Sequence, residues 1–114
     1  MITIKSAQTL LDSDPWSAVS RAYYAAFYAV QLYLDEKHEG AGSRIGTHKG
    51  VGMKFYELAI VKDGLPRDLA REFEALQDER VNVDYDDEPV PSDAPKIVER
   101  SSALVETLLS ELQK

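Results

Sequence analysis

The feature that most constrains the fold is residues 22–34, AYYAAFYAVQLYL, in which only Gln31 is polar. The run shows no period-two alternation and predicts a helix rather than a strand. Asp14 suits the N-cap and Pro15 the first helical position, so this helix is predicted to extend from Pro15 to about Glu36. Because a helix that is apolar on nearly every side has no solvated face, it is predicted to be the central helix of the domain.

Two faces of this helix are predicted to make different contacts. One face has small or β-branched residues that allow a neighbouring helix to approach closely: Val19, Ala22, Ala26 and Val30. The other mixes hydroxyl groups, an amide and one cation at helical spacing: Ser17, Arg21, Tyr24, Tyr28 and Gln31. One face is expected to pack within the subunit and the other against a second subunit, so the chain is predicted to form a homodimer.

Helical periodicity also marks the neighbouring segments. A short N-terminal segment is predicted to be helical through Ile4, Ala7, Leu10 and Leu11. Thr47 is predicted to cap a third helix that ends at Asp63 and Gly64, where glycine supplies a left-handed end. The inner residues of that helix are Val51, Phe55, Leu58, Ala59 and Val61. Between the second and third helices, residues 38–46 contain three glycines that match no phosphate-loop spacing, and they predict a flexible hinge.

Two more helices complete the predicted fold. Pro66 opens a fourth helix whose inner phase is Leu69, Phe73, Leu76, Arg80 and Val83. The chain turns over residues 85–91, and Ser92 is predicted to cap a last helix with the inner residues Ile97, Ser101, Leu104, Leu108 and Leu112. The predicted fold class is all-α: an up-and-down helical bundle of four main helices plus a short N-terminal helix. With 114 residues, the chain is predicted to be a single domain, 1–114.

Composition and charge exclude several classes of protein. The chain has no cysteine and two histidines, so neither a metal site nor a cofactor is expected. No apolar run reaches the roughly 18 residues of a membrane-spanning helix, and the N-terminus lacks the pattern of a secretory signal, which predicts a cytoplasmic protein without a membrane partner. The net charge of −7 argues against a protein that coats nucleic acid.

The acidity is confined to the C-terminal part of the chain. Residues 1–71 contain nine Lys or Arg and eight Asp or Glu, whereas residues 72–114 contain four and twelve. The middle of the chain, with Lys37, Arg44, Lys49 and Lys54 beside both histidines, is therefore able to form a local cationic surface for a small polyanion.

Arg80 is the most informative anomaly, because the helical phase puts it where a core residue belongs. A buried guanidinium needs a partner to offset its desolvation, and Asp84 lies four residues further on the same face. Two interpretations follow. Either Arg80 and Asp84 form a structural ion pair at the helix end, or Arg80 faces a cleft and binds phosphate.

Other polar and aromatic residues have similar alternatives. Tyr24 and Tyr28 are suited to a core or an interface, and with Arg21 they are also suited to stacking on a base and binding a phosphate. His38 and His48 belong to no motif with metal-ligand spacing and are interpreted as surface or capping residues. The acidic run 84–88 lacks the spacing of a calcium loop and is interpreted as a solvated loop.

Three motifs together resemble the HEPN domain family. They are Ser20-Arg-Ala-Tyr-Tyr-Ala-Ala-Phe-Tyr-Ala29, His48-Lys-Gly-Val51 and Arg80-Val-Asn-Val-Asp-Tyr85, in this order over nearly the whole chain. The resemblance implies a dimer with a cleft at its interface, lined by the fourth helix of each subunit. Many members are ribonuclease toxins encoded beside a minimal nucleotidyltransferase antitoxin. Their pattern is an arginine followed after four to six residues by a histidine.

The resemblance assigns candidate site residues. Arg80 matches the family arginine, but no histidine follows His48, and the sequence instead resembles an Arg-x-x-x-Asp-Tyr pattern met by Arg80, Asp84 and Tyr85. These three are the candidate catalytic residues of a metal-independent ribonuclease. Candidate residues for nucleotide or RNA binding are Arg21, Tyr24, Tyr28, His48 and Lys49.

Three hypotheses remain at this stage. The first is a HEPN dimer of a toxin–antitoxin-like pair with a nucleotidyltransferase, acting on RNA. The second, which the missing histidine favours, is a non-catalytic adaptor that binds a nucleotide or holds the nucleotidyltransferase. The third is structural: Arg80, its partner and the tyrosines only stabilise a dimer.

Overall fold

The computed structural model describes residues 4–10, 14–44, 46–85 and 94–114, with the side chains of Ser6, Leu10, Pro15, Trp16 and residues 79–85 left out. Its helices are α1 (Ile4–Leu10), α2 (Pro15–Lys37), α3 (His48–Lys54), a π-helix (Phe55–Lys62), α4 (Arg67–Tyr85) and α5 (Ala94–Leu112). No strand occurs within these ranges, which confirms the all-α prediction. No helix in the part described here has the length and apolar character needed to cross a membrane.

Helix α2 is central, as predicted, and contacts every other helix. The side chain of Asp14 caps it by accepting hydrogen bonds from the backbone N–H and the hydroxyl of Ser17, and these bonds lower the pKa of Asp14. The predicted stripe of small residues is fully buried: Val19, Ala22, Ala26 and Val30. The opposite stripe is not closed, because Tyr28 is 43% exposed and Leu32 41% exposed. Within the subunit the expectation that α2 has no solvated face holds only for the buried stripe, and the open stripe is the one predicted to contact a second subunit.

The third predicted helix begins and ends as expected but changes its pitch. Thr47 Oγ1 accepts a hydrogen bond from the Gly50 N–H at 2.9 Å, and Gly64 has the left-handed φ of +80°. From Phe55 the helix is a π-helix, and at its end the Asp63 N–H donates to the Leu58 carbonyl, five residues back. This wider turn buries Ile60 and leaves Val61 65% exposed, so the prediction that Val61 faces the core was wrong.

The turn between α2 and α3 is anchored, in contrast to the flexible hinge predicted from its glycines. The Asp35 carboxylate accepts hydrogen bonds from both the backbone N–H and the hydroxyl of Ser43. A Cβ at Gly42 would overlap the carbonyl oxygen of Gln31, so the turn packs directly on the backbone of α2. The prediction of a hinge was wrong for this stretch because these contacts lie outside the local sequence pattern.

Helices α4 and α5 complete the core largely as their periodicity predicted. Phe73 and Leu76 of α4 are buried and Leu69 is partly buried, whereas the side chains of Arg80 and Val83 lie outside the description. On α5 the buried residues are Ile97, Ser101, Leu104 and Leu108, and Leu112 is half-buried. The buried Ser101 hydroxyl donates to the Ala22 carbonyl at 2.6 Å and joins α5 to α2. The predicted cap Ser92 and most of the turn at 85–91 lie outside the described residues.

Candidate functional site

His48 lies in an aromatic cradle on α2, and we call Tyr23, Tyr24, Phe27 and His48 the His48 cluster. The imidazole stacks on the Phe27 ring with centroids 4.3 Å apart, and the Tyr24 ring meets it edge-on at 5.9 Å. A hydrogen bond of 2.9 Å joins His48 Nδ1 to the Tyr23 hydroxyl. These contacts fix the plane of the imidazole, which is the arrangement that a histidine needs to bind or transfer a proton in one direction.

The interpretation of His48 as a surface residue was wrong, because its ring is half-buried in these contacts. Thr47 fills the capping role at the start of α3, and His48 follows it as the first helical residue. His38 fulfils the capping interpretation, since it is the C-cap of α2 and its backbone N–H donates to the Leu34 carbonyl.

The remaining predicted binding residues of α2 lie along one stripe. Tyr24 belongs to the His48 cluster, and the Tyr28 ring contacts those of Tyr24 and Phe27 with centroids 6.4 and 5.8 Å apart. Arg21 is exposed near the start of α2, where its charge contributes to the lowered pKa of Asp14. The structure thus brings Tyr24 to His48 directly, and Tyr28 through Tyr24, whereas it shows no contact of Arg21 with the cluster.

Lys49 lines a groove between the helical rod of α3 and the π-helix on one side and α4 on the other. The groove has a volume of about 510 Å³, and its wall includes Gly52, Phe73 and Gln77. A Cβ built at Gly52 would lie 3.7 Å from the Phe73 ring and 4.0 Å from Gln77 Oε1, so the two sides are in close contact there. Lys49 is exposed, lies at one end of this groove and directly follows His48 in the sequence.

The backbone register relates the end of α4 to the His48 cluster. Helix α4 runs in the opposite direction to α3 and the π-helix, because a short turn at 63–66 joins them side by side. Gly52 faces α4 between Phe73 and Gln77, so the turn of α4 after Gln77, which contains Arg80, comes level with the first turn of α3. Arg80, Asp84 and Tyr85 belong to the last turns of α4, and their side chains lie outside the description.

Within the described ranges, no three His, Asp or Glu side chains come together in a way that would hold a metal ion.

Sequence reasoning missed two contributors to this region. Tyr23 and Phe27 were included in the apolar run and in the first family motif but were given no role, although they are four residues apart and therefore share a helix face. That spacing was the available signal. Their pairing with His48 depends on the packing of α3 against α2 and has no signal in the local sequence.

A second polar cluster, also missed, joins the end of α2 to the end of the π-helix. The Asp63 carboxylate accepts hydrogen bonds from the Tyr33 hydroxyl at 2.6 Å and from His38 Nε2 at 2.8 Å. Burial alone would raise the pKa of Asp63, but these two bonds and the positive charges of His38 and Lys62 outweigh it and lower that pKa. Burial and the bond to Asp63 raise the pKa of Tyr33.

The Asp63 contacts predict a pH-dependent stability. A carboxylate with a lowered pKa in the folded state stabilises the fold above its unfolded pKa of about 3.9, and this stabilisation disappears as the pH falls through the folded pKa. We expect Asp63→Asn to lower the melting temperature near neutral pH, and its difference from the parent to shrink below pH ~4. Thermal unfolding monitored by circular dichroism measures this difference. The control is Asp68→Asn, since Asp68 is exposed and makes only a 3.8 Å ion pair with Arg71. If the melting temperatures of Asp63→Asn and the parent differ by the same amount at every pH, the stabilising role assigned to the ionised Asp63 carboxylate is contradicted.

Comparison with known proteins agrees with the motifs. The model of the HEPN domain family matches residues 2–113, essentially the whole chain. No curated protein and no solved structure matches it. The chain therefore belongs to the HEPN domain family, whose members have nuclease or nucleotidyltransferase-associated roles.

Proposed function

We propose that the protein is a metal-independent ribonuclease that acts as a homodimer and is paired, in the manner of a toxin–antitoxin system, with a nucleotidyltransferase. The observation that carries this proposal is the register of α4 against α3, which brings the turn of Arg80 level with the His48 cluster. A cation next to an oriented imidazole supplies the charge stabilisation and the proton transfer that cleavage of a phosphodiester by its own 2′-hydroxyl requires.

The chemistry assigns a role to each residue. The 2′-oxygen attacks the neighbouring phosphorus as a base removes its proton, the bond to the 5′-oxygen breaks, and an acid returns a proton to that oxygen. Arg80 stabilises the charge on the pentacoordinate phosphate. His48 takes the proton-transfer role of the histidine that the Arg80 motif lacks, and Tyr23 acts as a positioning residue through Nδ1. Asp84 and Tyr85 position the phosphate or take part in proton transfer.

RNA binding is assigned to the residues around this centre. Tyr24, whose ring also meets His48, offers a ring face on which an unpaired base stacks, a contact that is available to every base. Lys49 and Arg21 are exposed cations that contact phosphates on either side of the cluster.

The dimer is assigned to the open stripe of α2. Tyr28 and Leu32 are exposed and lie four residues apart, so they form one apolar strip on the surface of α2. A second copy that packs its own strip there would bring two sets of site residues to one interface.

The test is incubation of the purified dimer with total RNA and tRNA in the presence of a chelator. We expect cleavage products with 2′,3′-cyclic phosphate and 5′-hydroxyl ends, because the attacking group belongs to the RNA. His48→Phe keeps a ring that can stack on Phe27 but has no titratable nitrogen, and it is expected to reduce the cleavage rate by about 10²- to 10⁴-fold.

A matched pair of variants controls for the loss of charge on α4. Asp84→Asn is expected to lower the cleavage rate, whereas Asp78→Asn, on an exposed position of the same helix, is expected to leave it unchanged. Intact RNA after incubation with a folded parent dimer would contradict the ribonuclease proposal.

One observation favours the adaptor as a second candidate. No histidine follows Arg80, and residues 72–114 contain twelve acidic and four basic residues, which is a poor surface for a polyanion. An adaptor would bind a nucleotide or the nucleotidyltransferase and leave RNA intact. Calorimetry with nucleotides, with and without the partner, would distinguish it, since heat of binding without any cleavage is expected only from an adaptor.

A further inference from the structure

Four cationic side chains converge on a single concavity away from the His48 cluster. Lys37, Arg44, Lys54 and Lys62 line it together with His38 and Glu39, and we call this concavity, with a volume of about 680 Å³, the basic pocket. Its walls come from the end of α2, the turn after it, the last residue of α3 and the π-helix. Residues that are 25 positions apart in the sequence, Lys37 and Lys62, are therefore brought to one site.

Most of this positive charge is not neutralised within the subunit. Among the residues that the structure describes, Lys37, Arg44 and Lys62 form no ion pair, and Lys54 makes only an exposed contact of 3.3 Å with Glu57. The nearby Asp63 carboxylate is already occupied by Tyr33 and His38. Of the acidic side chains in the described part of the chain, Glu39 alone lines the pocket. In a chain with a net charge of −7, such a concentration of cations favours an anionic ligand.

The walls of the basic pocket are held in place before any ligand binds. The bonds from Ser43 to Asp35 and the packing of Gly42 on Gln31 fix the turn that contains Arg44. The bonds from Tyr33 and His38 to Asp63 join the Lys37 end of α2 to the Lys62 end of the π-helix. The backbone positions that carry the cations are therefore fixed, so binding has to order only their side chains.

We propose that the basic pocket binds the phosphodiester backbone of RNA at a distance from the bond that is cleaved. The proposal rests on the proposed function for the identity of the ligand. Lys37 follows Tyr24 by thirteen residues on α2, which corresponds to about 20 Å along the helix axis at 1.5 Å per residue and to about 140° around it at 3.6 residues per turn. A strand of several nucleotides that stacks on Tyr24 would reach the pocket, so its phosphates would fix the direction and register of the RNA across the subunit.

The test is the salt dependence of RNA binding. A short labelled single-stranded RNA with 2′-O-methyl groups, which cannot be cleaved by 2′-hydroxyl attack, is titrated with protein by fluorescence anisotropy over a range of KCl concentrations. The variant Lys37→Gln/Arg44→Gln/Lys62→Gln removes three phosphate contacts. Its slope of log K against log salt is expected to be smaller than that of the parent by about 2, and its affinity lower by about 10- to 100-fold at moderate salt.

The matched control has the same change in net charge on exposed positions elsewhere, Lys5→Gln/Arg71→Gln/Lys96→Gln. It is expected to keep the slope of the parent to within about 0.5, since only contacted phosphates release counterions. An equal loss of RNA affinity in both triple variants would overturn the proposal. An unchanged slope of log K against log salt in the pocket variant would overturn it too. Binding of ATP by the parent without any binding of RNA would overturn it as well, in favour of a free nucleotide as ligand.

Cleavage assays separate this proposal from the proposed function. If the parent binds RNA through the pocket and cleaves none, the basic pocket stands and the ribonuclease fails. If both the parent and the pocket variant cleave RNA with the same kcat/KM, the ribonuclease stands and the basic pocket is refuted.

Discussion

If the protein cleaves RNA as we propose, replacement of Arg80 by alanine is expected to abolish most of that cleavage, with a rate loss of about 10²- to 10³-fold. The reason is electrostatic. No other cation occurs between residues 72 and 95, so no other basic side chain on this stretch can take over the stabilisation of the pentacoordinate phosphate. Initial rates in the presence of a chelator measure the effect. Arg80→Lys tests the geometry, since lysine keeps the charge and lacks the planar pair of donors that binds two phosphate oxygens.

The control is Arg71→Ala on the same helix. Arg71 is exposed and its contact with Asp68 is long and solvated, so the variant is expected to cleave RNA at the rate of the parent. The structural hypothesis, in which Arg80 only stabilises a dimer, predicts a different result for Arg80→Ala. The melting temperature would fall and the dimer would weaken, with RNA binding unchanged. That pattern would remove Arg80 from the site and leave it as the partner of Asp84.

Features of the fold that depend on neighbouring residues were predictable from the sequence. Asp14 and Thr47 cap their helices and Gly64 ends the π-helix because each acts through bonds or backbone angles within a few residues. The fully buried stripe of α2 was predictable for the same reason, since its residues recur every three or four positions within a single helix.

The change of pitch after Phe55 was not predictable in this way. The buried residues of that segment include Phe55, Ala59 and Ile60, and a run of apolar residues is compatible with both the α and the π pattern. Only the packing against α2 and α4 decides that Ile60 is inside and Val61 outside.

Some residues of the candidate site, His48 and Tyr24, were predictable from the sequence, but the way in which the site is arranged in space was not. The motifs singled out His48, but the bond to Tyr23 joins residues 25 positions apart and the stack on Phe27 joins residues 21 apart. The basic pocket is similar: the cations were noted in the sequence, whereas the concavity that collects them depends on the anchored turn at residues 38–44. Tertiary contacts of this range have no counterpart in local periodicity.

Replacement of Phe73 by alanine is expected to have the largest effect on stability, a loss of about 3–5 kcal/mol in the free energy of unfolding. Phe73 is only 1% exposed, and its ring lies 6.0 Å from those of Tyr23 and Phe55 and 6.5 Å from that of Phe27. It is therefore the side chain through which α4 packs on both α2 and the π-helix. Urea titration monitored by circular dichroism measures the loss, and Val61→Ala, at an exposed position, is expected to change the stability by less than about 0.5 kcal/mol.

Phe73→Leu keeps the prediction measurable if the alanine variant fails to fold, because most domains have only about 5–15 kcal/mol of stability. Leucine fills more of the space, so a smaller loss than for alanine is expected. The same variant links the core to the site. Tyr23 and Phe27 contact Phe73 on one side and His48 on the other, so a shifted core would tilt the imidazole. We expect Phe73→Leu to lower the cleavage rate at temperatures where it is fully folded, and an unchanged rate would show that the His48 cluster is oriented without the support of α4.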